Sequence, residues 1–190
     1  MNYEDFWRNQ PRDPEPWRWP WRREMLAREV RYGEAWLDLG CGAGSVLGRA
    51  FERGRRDVDA DPVRGDLQEA AGADLRLIDE HGCIPVEHGT IDLVWCSETI
   101  EHVADALGLL QEVRRVLKPG GRMLLTTPAH PWLRRTVLAA LRFDQHFDPM
   151  GQHVRFFSRM SLLRILEAAG LENAGIRSRY AALIARGIRP

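Results

Sequence analysis

Three glycines follow the apolar run Trp36-Leu37-Asp38-Leu39 at alternate positions, Gly40, Gly42 and Gly44, and join a short buried strand to a turn that opens a helix. Such a junction can hold a nucleotide. Gly40 lets the chain turn sharply, Gly42 removes the side chain that would block a ligand, and Gly44 falls where the helix begins, so the local amides face an open site. The spacing is G-x-G-x-G. A dinucleotide fingerprint requires G-x-G-x-x-G or A, and Ser45 stands where the last small residue belongs, which makes a pyrophosphate ligand the second choice. Carboxylates recur near the predicted ends of the first three strands, at Asp38, Asp59 and Asp79. Of the six histidines, His102, His130 and His153 fall in segments expected at the same edge of the sheet, where an imidazole could take a proton from a hydroxyl or an amine.

From Ala35 onward short apolar runs alternate with amphipathic ones, the pattern of an α/β, Rossmann-like, doubly wound sheet covered on both faces. Strands are expected near 35–39, 56–59, 74–78, 91–96 and 121–127, with helices near 44–53, 62–71 and 104–117. Lys118-Pro119-Gly120-Gly121 reads as the stop of the last of these. Ser158 or Ser161 can cap a further helix that ends at Gly170, and two strands near 172–179 and 182–187 complete the pattern. Residues 1–33 differ from the rest, because Trp7, Trp17, Trp19 and Trp21 alternate with prolines and arginines and only the stretch from Trp21 to Val30 looks helical. This arm is read as packing across the core, or as a lid over the site. Trp132 to Phe143 carry a helical stripe with interleaved arginines, read either as core or as part of a substrate cap over 131–157, and residues 34–190 form one domain.

Five motifs arrive in a fixed order: Asp38-Leu39-Gly40-Cys41-Gly42-Ala43-Gly44; Val58-Asp59-Ala60-Asp61-Pro62; Ile91-Asp92-Leu93-Val94-Trp95-Cys96-Ser97-Glu98; Ile100-Glu101-His102-Val103; and Val116-Leu117-Lys118-Pro119-Gly120-Gly121-Arg122 leading into Met123-Leu124-Leu125-Thr126-Thr127-Pro128. With these the chain resembles a class I S-adenosylmethionine-dependent methyltransferase of the compact small-molecule type, from Ala35 to the C-terminus. The resemblance implies a seven-stranded, mostly parallel sheet closed by an antiparallel C-terminal hairpin, with S-adenosylmethionine as cofactor.

It also implies a set of contacts. The amino-acid end of the cofactor would meet Gly40, Cys41, Gly42 and Gly44, with Asp38 serving the ammonium group. The ribose diol would meet Asp59, next to Ala60, because one carboxylate can accept from both hydroxyls. Asp79 and the Glu80 amide would grip adenine, and the backbone of Cys96 and Ser97 would face the sulfonium. Cys96 is read as a packing residue, since no base stands beside it in the sequence. Among the histidines His102 is favoured as the general base, because its turn directly follows the strand facing the sulfonium.

The chain has 190 residues and no net charge, which argues against a global electrostatic footprint for nucleic acid. No run approaches the ~20 apolar residues of a membrane span, and the opening Met1-Asn2-Tyr3-Glu4-Asp5 lacks the regions of a signal peptide, so the expected location is the cytoplasm. Cys41, Cys83 and Cys96 have no C-x-x-C spacing, and no residue is assigned to a metal. The expected reaction is methyl transfer to oxygen or nitrogen of a small apolar or aromatic metabolite. The alternatives are an NAD(P)-dependent oxidoreductase, a noncatalytic cofactor-binding regulatory subunit, and an RNA methyltransferase using Arg18, Arg22 and Arg23.

Overall fold

The computed structural model describes residues 20–40, 56–60, 74–76, 78, 82–130 and 153–190. In chain order the elements are α1 (Pro20–Glu29), β1 (Ala35–Leu39), β2 (Arg56–Ala60), β3 (Asp74–Arg76), β4 (Ile91–Ser97), a 3-10 turn (Ile100–His102), α2 (Ala106–Val116), β5 (Leu117–Pro128), α3 (Arg159–Ala168), β6 (Glu172–Arg179) and β7 (Ala182–Ile188). The strands join in the order β3-β2-β1-β4-β5-β7-β6. The first five run parallel, and β7 pairs antiparallel with both β5 and β6. Successive strands add outward from β1 in one direction and from β4 in the other. The carboxyl ends of these two neighbours therefore border the crevice where open α/β sheets take their ligands.

Burial follows from the near-continuous apolar character of the central strands. Ile91, Val94 and Cys96 face one side of β4 and join Leu37 and Leu39 of β1 in a core shared with Leu110 and Val113 of α2 and Leu162 and Leu166 of α3. Leu93 and Trp95 face the other side, where α1 covers them with Leu26 and Val30 beside Trp36, Leu124 and Ile184. Polar clamps fix α1 on that face. Arg122 grips Glu34 through two hydrogen bonds of 2.7 Å and also donates to the Glu29 carbonyl, while Arg186 pairs with the Glu29 carboxylate.

Three sequence expectations are corrected. The strand expected over 74–78 ends at Arg76, and the helix expected near 104–117 begins at Ala106, with the Asp105 carboxylate accepting from the Gly108 amide as its cap. The third concerns Lys118-Pro119-Gly120-Gly121, which does not merely end a helix but lies inside β5. Leu117 stands opposite Ile91 and Arg122 opposite Leu93, so the intervening residues bulge out of the ladder. Reciprocal bonds hold the bulge to the C-terminal strand, from the Gly120 amide to the Arg189 carbonyl and from the Arg189 amide to the Gly121 carbonyl. At α3 the Ser158 hydroxyl accepts from the Ser161 amide and the Ser161 hydroxyl accepts from the Ser158 amide, a reciprocal cap, and Gly170 at φ +74° closes the other end. The expected helices near 44–53 and 62–71, most of the N-terminal arm and most of 131–157 lie outside the described residues. No described helix is long and apolar enough to cross a membrane.

Candidate active site

At the carboxyl end of β1 the chain turns at Gly40 with φ +79°, a left-handed conformation that glycine adopts without steric cost. The turn is also tightly covered. A Cβ at Gly40 would stand 2.3 Å from the Thr99 hydroxyl oxygen and 2.5 Å from its methyl carbon. Thr99 is held there because its hydroxyl lies 3.2 Å from the Leu39 carbonyl and 3.1 Å from the Ser97 carbonyl, sharing one proton between the ends of the two strands. Asp38 is buried two residues before Gly40, and the register sets its backbone beside Asp59 on one side and Trp95 on the other, with Leu39 beside Ala60 and Cys96. Cys96 is buried, and burial first, with the charges of Glu101 and Asp38 adding to it, pushes its thiol far above the usual range, so it packs rather than reacts.

Beyond Ser97 a polar chain crosses to α1. The Ser97 hydroxyl lies 2.9 Å from that of Thr126, which in turn donates to Glu98 Oε1 at 3.0 Å, and the Arg22 guanidinium reaches the same oxygen at 3.0 Å. Glu98 holds φ +51°, strained for a residue with a side chain, and its amide is fixed by the Thr126 carbonyl at 2.9 Å. Burial raises the Glu98 carboxyl pKa against the opposing pull of Arg22 and Thr126, while burial lowers that of Arg22 against Glu98 and Glu101.

A second carboxylate lies one 3-10 turn further on. Glu101 is 1% exposed; its Oε2 accepts from the Thr127 hydroxyl at 3.0 Å, and its Oε1 has no hydrogen-bond partner among the described residues. Burial first, and then the charge of Glu98, push its carboxyl up to about 8. The Glu101 carbonyl accepts from the amides of Val154 at 3.0 Å and Arg155 at 3.1 Å, and the Arg155 guanidinium donates to the carbonyls of Val103 and Ala104. These bonds bring a segment some fifty residues distant against the turn. The rings of His102 and His153 then meet edge to face with centroids 4.8 Å apart, and His102 Nε2 lies 4.0 Å from Glu101 Oε1. Phe156 stands between two of the histidines, its ring 6.4 Å from that of His153 and 5.4 Å from that of His130.

Of the residues singled out in the sequence, Asp38, Gly40, Cys96 and Ser97 share the β1–β4 edge, and His102 meets His153 beside it. His130 joins that group through Phe156. Asp59 and Ala60 are described in backbone only, and Cys41, Gly42, Gly44, Asp79 and Glu80 lie outside the described residues. In the sequence Glu98 and the Thr126-Thr127 pair stand out only as members of the ordered motifs at the strand ends, and Arg22 only in the RNA-methyltransferase alternative. A carboxylate one residue beyond β4 was the available signal for their pairing.

Comparison with known proteins agrees with this architecture. A family model described as a methyltransferase domain matches residues 7–175. The ubiquinone biosynthesis O-methyltransferase of Idiomarina loihiensis is 33% identical over 157 residues, covering 76% of this chain and 64% of the relative. The protein of that name from Dinoroseobacter shibae is 32% identical over 151 residues, 72% of this chain and 59% of the relative. The chain thus spans about three-fifths of the length of these relatives. Among solved structures, the candidate methyltransferase bound to the Haloferax volcanii Trm112 methyltransferase activator superposes over 100% of this chain and 99% of its own, with a TM-score of 0.81 at 19% identity. A SAM-dependent methyltransferase from Aquifex aeolicus gives 0.65 at 18% identity over 88% of this chain and 89% of its own. By its motifs, its sheet and these matches, the chain belongs to the class I S-adenosylmethionine-dependent methyltransferases.

Proposed function

We propose that this protein transfers a methyl group from S-adenosylmethionine to an oxygen or nitrogen of a small apolar or aromatic acceptor. The observation that carries the reading is the position of the Glu101, His102 and His153 cluster directly beyond the β1–β4 edge. Proton-handling groups next to the crevice that takes the cofactor suit an acceptor that arrives protonated. The relatives named for an O-methyltransferase reaction favour oxygen.

The residues at that edge fit the cofactor by their chemistry. Its amino-acid end carries an ammonium group, and the carboxylate of Asp38 is buried at the end of β1 beside the left-handed Gly40 turn. The glycine loop continuing through Cys41, Gly42 and Gly44 would receive the rest of that end. Asp59 would take the ribose, Asp79 and Glu80 the adenine, and the Cys96–Ser97 backbone would border the reacting methyl. When bound, the cofactor supplies a sulfonium-activated methyl group. The chain then has to align the acceptor, exclude water and receive a proton. His102 is the proposed base, with His153 packed against it and His130 across Phe156.

The apolar walls of the acceptor site are assigned to the arm 1–33, which Arg22 ties to Glu98, and to the segment 131–157, whose last residues bring in His153, Phe156 and Phe157. A screen of metabolite extracts with labelled methyl donor, followed by mass measurement of the product, tests the reading. A single small product heavier by one methyl group is expected. Label appearing only in RNA or protein would overturn it.

A further inference from the structure

We propose that Glu101, His102 and His153 form a binding site for one first-row divalent transition-metal ion. Their candidate ligand atoms all lie within 4.8 Å of one another. Bonds of about 2.0–2.2 Å around a tetrahedral ion set ligands roughly 3.3–3.6 Å apart, so shifts on the order of 1 Å would close the set. Rotation about side-chain bonds supplies movements of that size.

Three features mark this group as more than a chance meeting. Glu101 is buried, and its two oxygens are treated differently: the Thr127 hydroxyl fixes Oε2, which leaves Oε1, without a hydrogen-bond partner among the described residues, on the side of His102. A neighbour that orients one oxygen while the other stays open is the outer-sphere support that ligating carboxylates have. The backbone makes the same residue the organiser of the cluster, because its carbonyl anchors the Val154 and Arg155 amides and thereby sets His153 against His102. Third, the Arg22 guanidinium bonds the neighbouring Glu98 carboxylate at 3.0 Å, which leaves the side of Glu101 that faces His102 for another cation.

The ligand chemistry narrows the ion. Two imidazoles and one carboxylate suit zinc, manganese, iron or cobalt better than magnesium or calcium, which favour oxygen donors throughout. Three protein ligands leave at least one coordination position open. Use of that position by the acceptor rests on the methyl-transfer reading: an acceptor hydroxyl bound to the ion would ionise more readily, releasing its proton to water. With the ion in place the imidazoles act as ligands rather than as bases.

The test is direct metal binding, without acceptor or cofactor. The purified chain is dialysed against a chelator, then titrated with zinc by calorimetry and with manganese by loss of the free ion's paramagnetic resonance signal. One ion per chain is expected. Glu101→Gln and His153→Ala should each weaken it at least tenfold, since even loss of an outer-sphere partner costs about 10–100-fold. Cys83→Ser removes the exposed thiol and should leave the manganese affinity within about twofold, as should His130→Ala. His153 is only partly buried, which keeps one ligand variant measurable should Glu101→Gln fail to fold. No saturable binding of either ion, or binding undiminished in His153→Ala, overturns the site. Titration of the same samples with S-adenosylhomocysteine separates the two readings: cofactor binding without metal binding defeats only this inference, and metal binding without cofactor binding defeats only the proposed function.

Discussion

Replacing Gly40 by alanine would place a methyl group in two conflicts at once. The backbone at φ +79° is left-handed, which costs a residue with a Cβ about 1–2 kcal/mol. The new carbon would also stand 2.3 Å from the Thr99 hydroxyl oxygen, a separation real atoms do not sustain, so Thr99 must move. Its hydroxyl bridges the Leu39 and Ser97 carbonyls with one proton, and turning it away forfeits a hydrogen bond of about 0.5–1.5 kcal/mol and strains its rotamer by a similar amount. Together these reach roughly 2–5 kcal/mol, or a fall in thermal midpoint of about 4–20 °C for a chain of this size. Urea unfolding of four proteins, wild type, Gly40→Ala, Thr99→Ala and the double variant, separates the two conflicts. Thr99→Ala deletes the two nearest atoms and leaves only the Thr99 Cβ, 3.0 Å away. Gly40→Ala should therefore cost about 1–3 kcal/mol less in the Thr99→Ala background, a coupling typical of residues in contact. An equal cost in both backgrounds would refute the steric part of the argument, and a cost below about 0.5 kcal/mol in the wild type would refute both parts.

Two other perturbations probe the surroundings of the site. Arg22→Ala leaves the Glu98 carboxylate without its guanidinium and should cost about 3–5 kcal/mol, most of it recovered when Glu98→Gln is added; a loss under 1 kcal/mol in urea unfolding would mean that the pair does not tie α1 to the sheet. Burial tends to raise the carboxyl pKa of Glu34, but the hydrogen bonds of Arg122 and the Arg31 amide prevail and hold it below its ordinary value. A depressed folded pKa contributes stability that is complete above the unfolded value, about 4.3, and is lost as pH falls through the folded value. The urea midpoint should thus decline below about pH 4.3 in the wild type and decline less steeply in Glu34→Gln; identical acid limbs would contradict this.

The elements with strong local signals were legible. The run from Ile91 to Cys96 is apolar enough to mark a strand covered on both faces, and Ser158 with Ser161 marks a helix start, because the information sits within a few residues. The course of Lys118-Pro119-Gly120-Gly121 was not, since the partner that turns a helix stop into a bulge is Arg189, some seventy residues away. The site divides in the same manner. Gly40, Asp38 and the ends of β1 and β4 follow from a motif with a fixed geometry. Arg22 lies in an arm whose tryptophans dominate its composition, and nothing near it in the sequence points to Glu98. Likewise His153 meets His102 only because the Glu101 carbonyl captures two amides of a remote segment.

Whether S-adenosylmethionine is the ligand of the β1–β4 crevice can be measured without the acceptor, by calorimetric titration of the chain with the cofactor and with its demethylated product. Saturable binding at one site per chain is expected, weakened about 5- to 150-fold in Asp59→Ala, the factor for losing about 1–3 kcal/mol of hydrogen bonding to a charged group. Tight binding of NADH with none of S-adenosylmethionine or S-adenosylhomocysteine would contradict it.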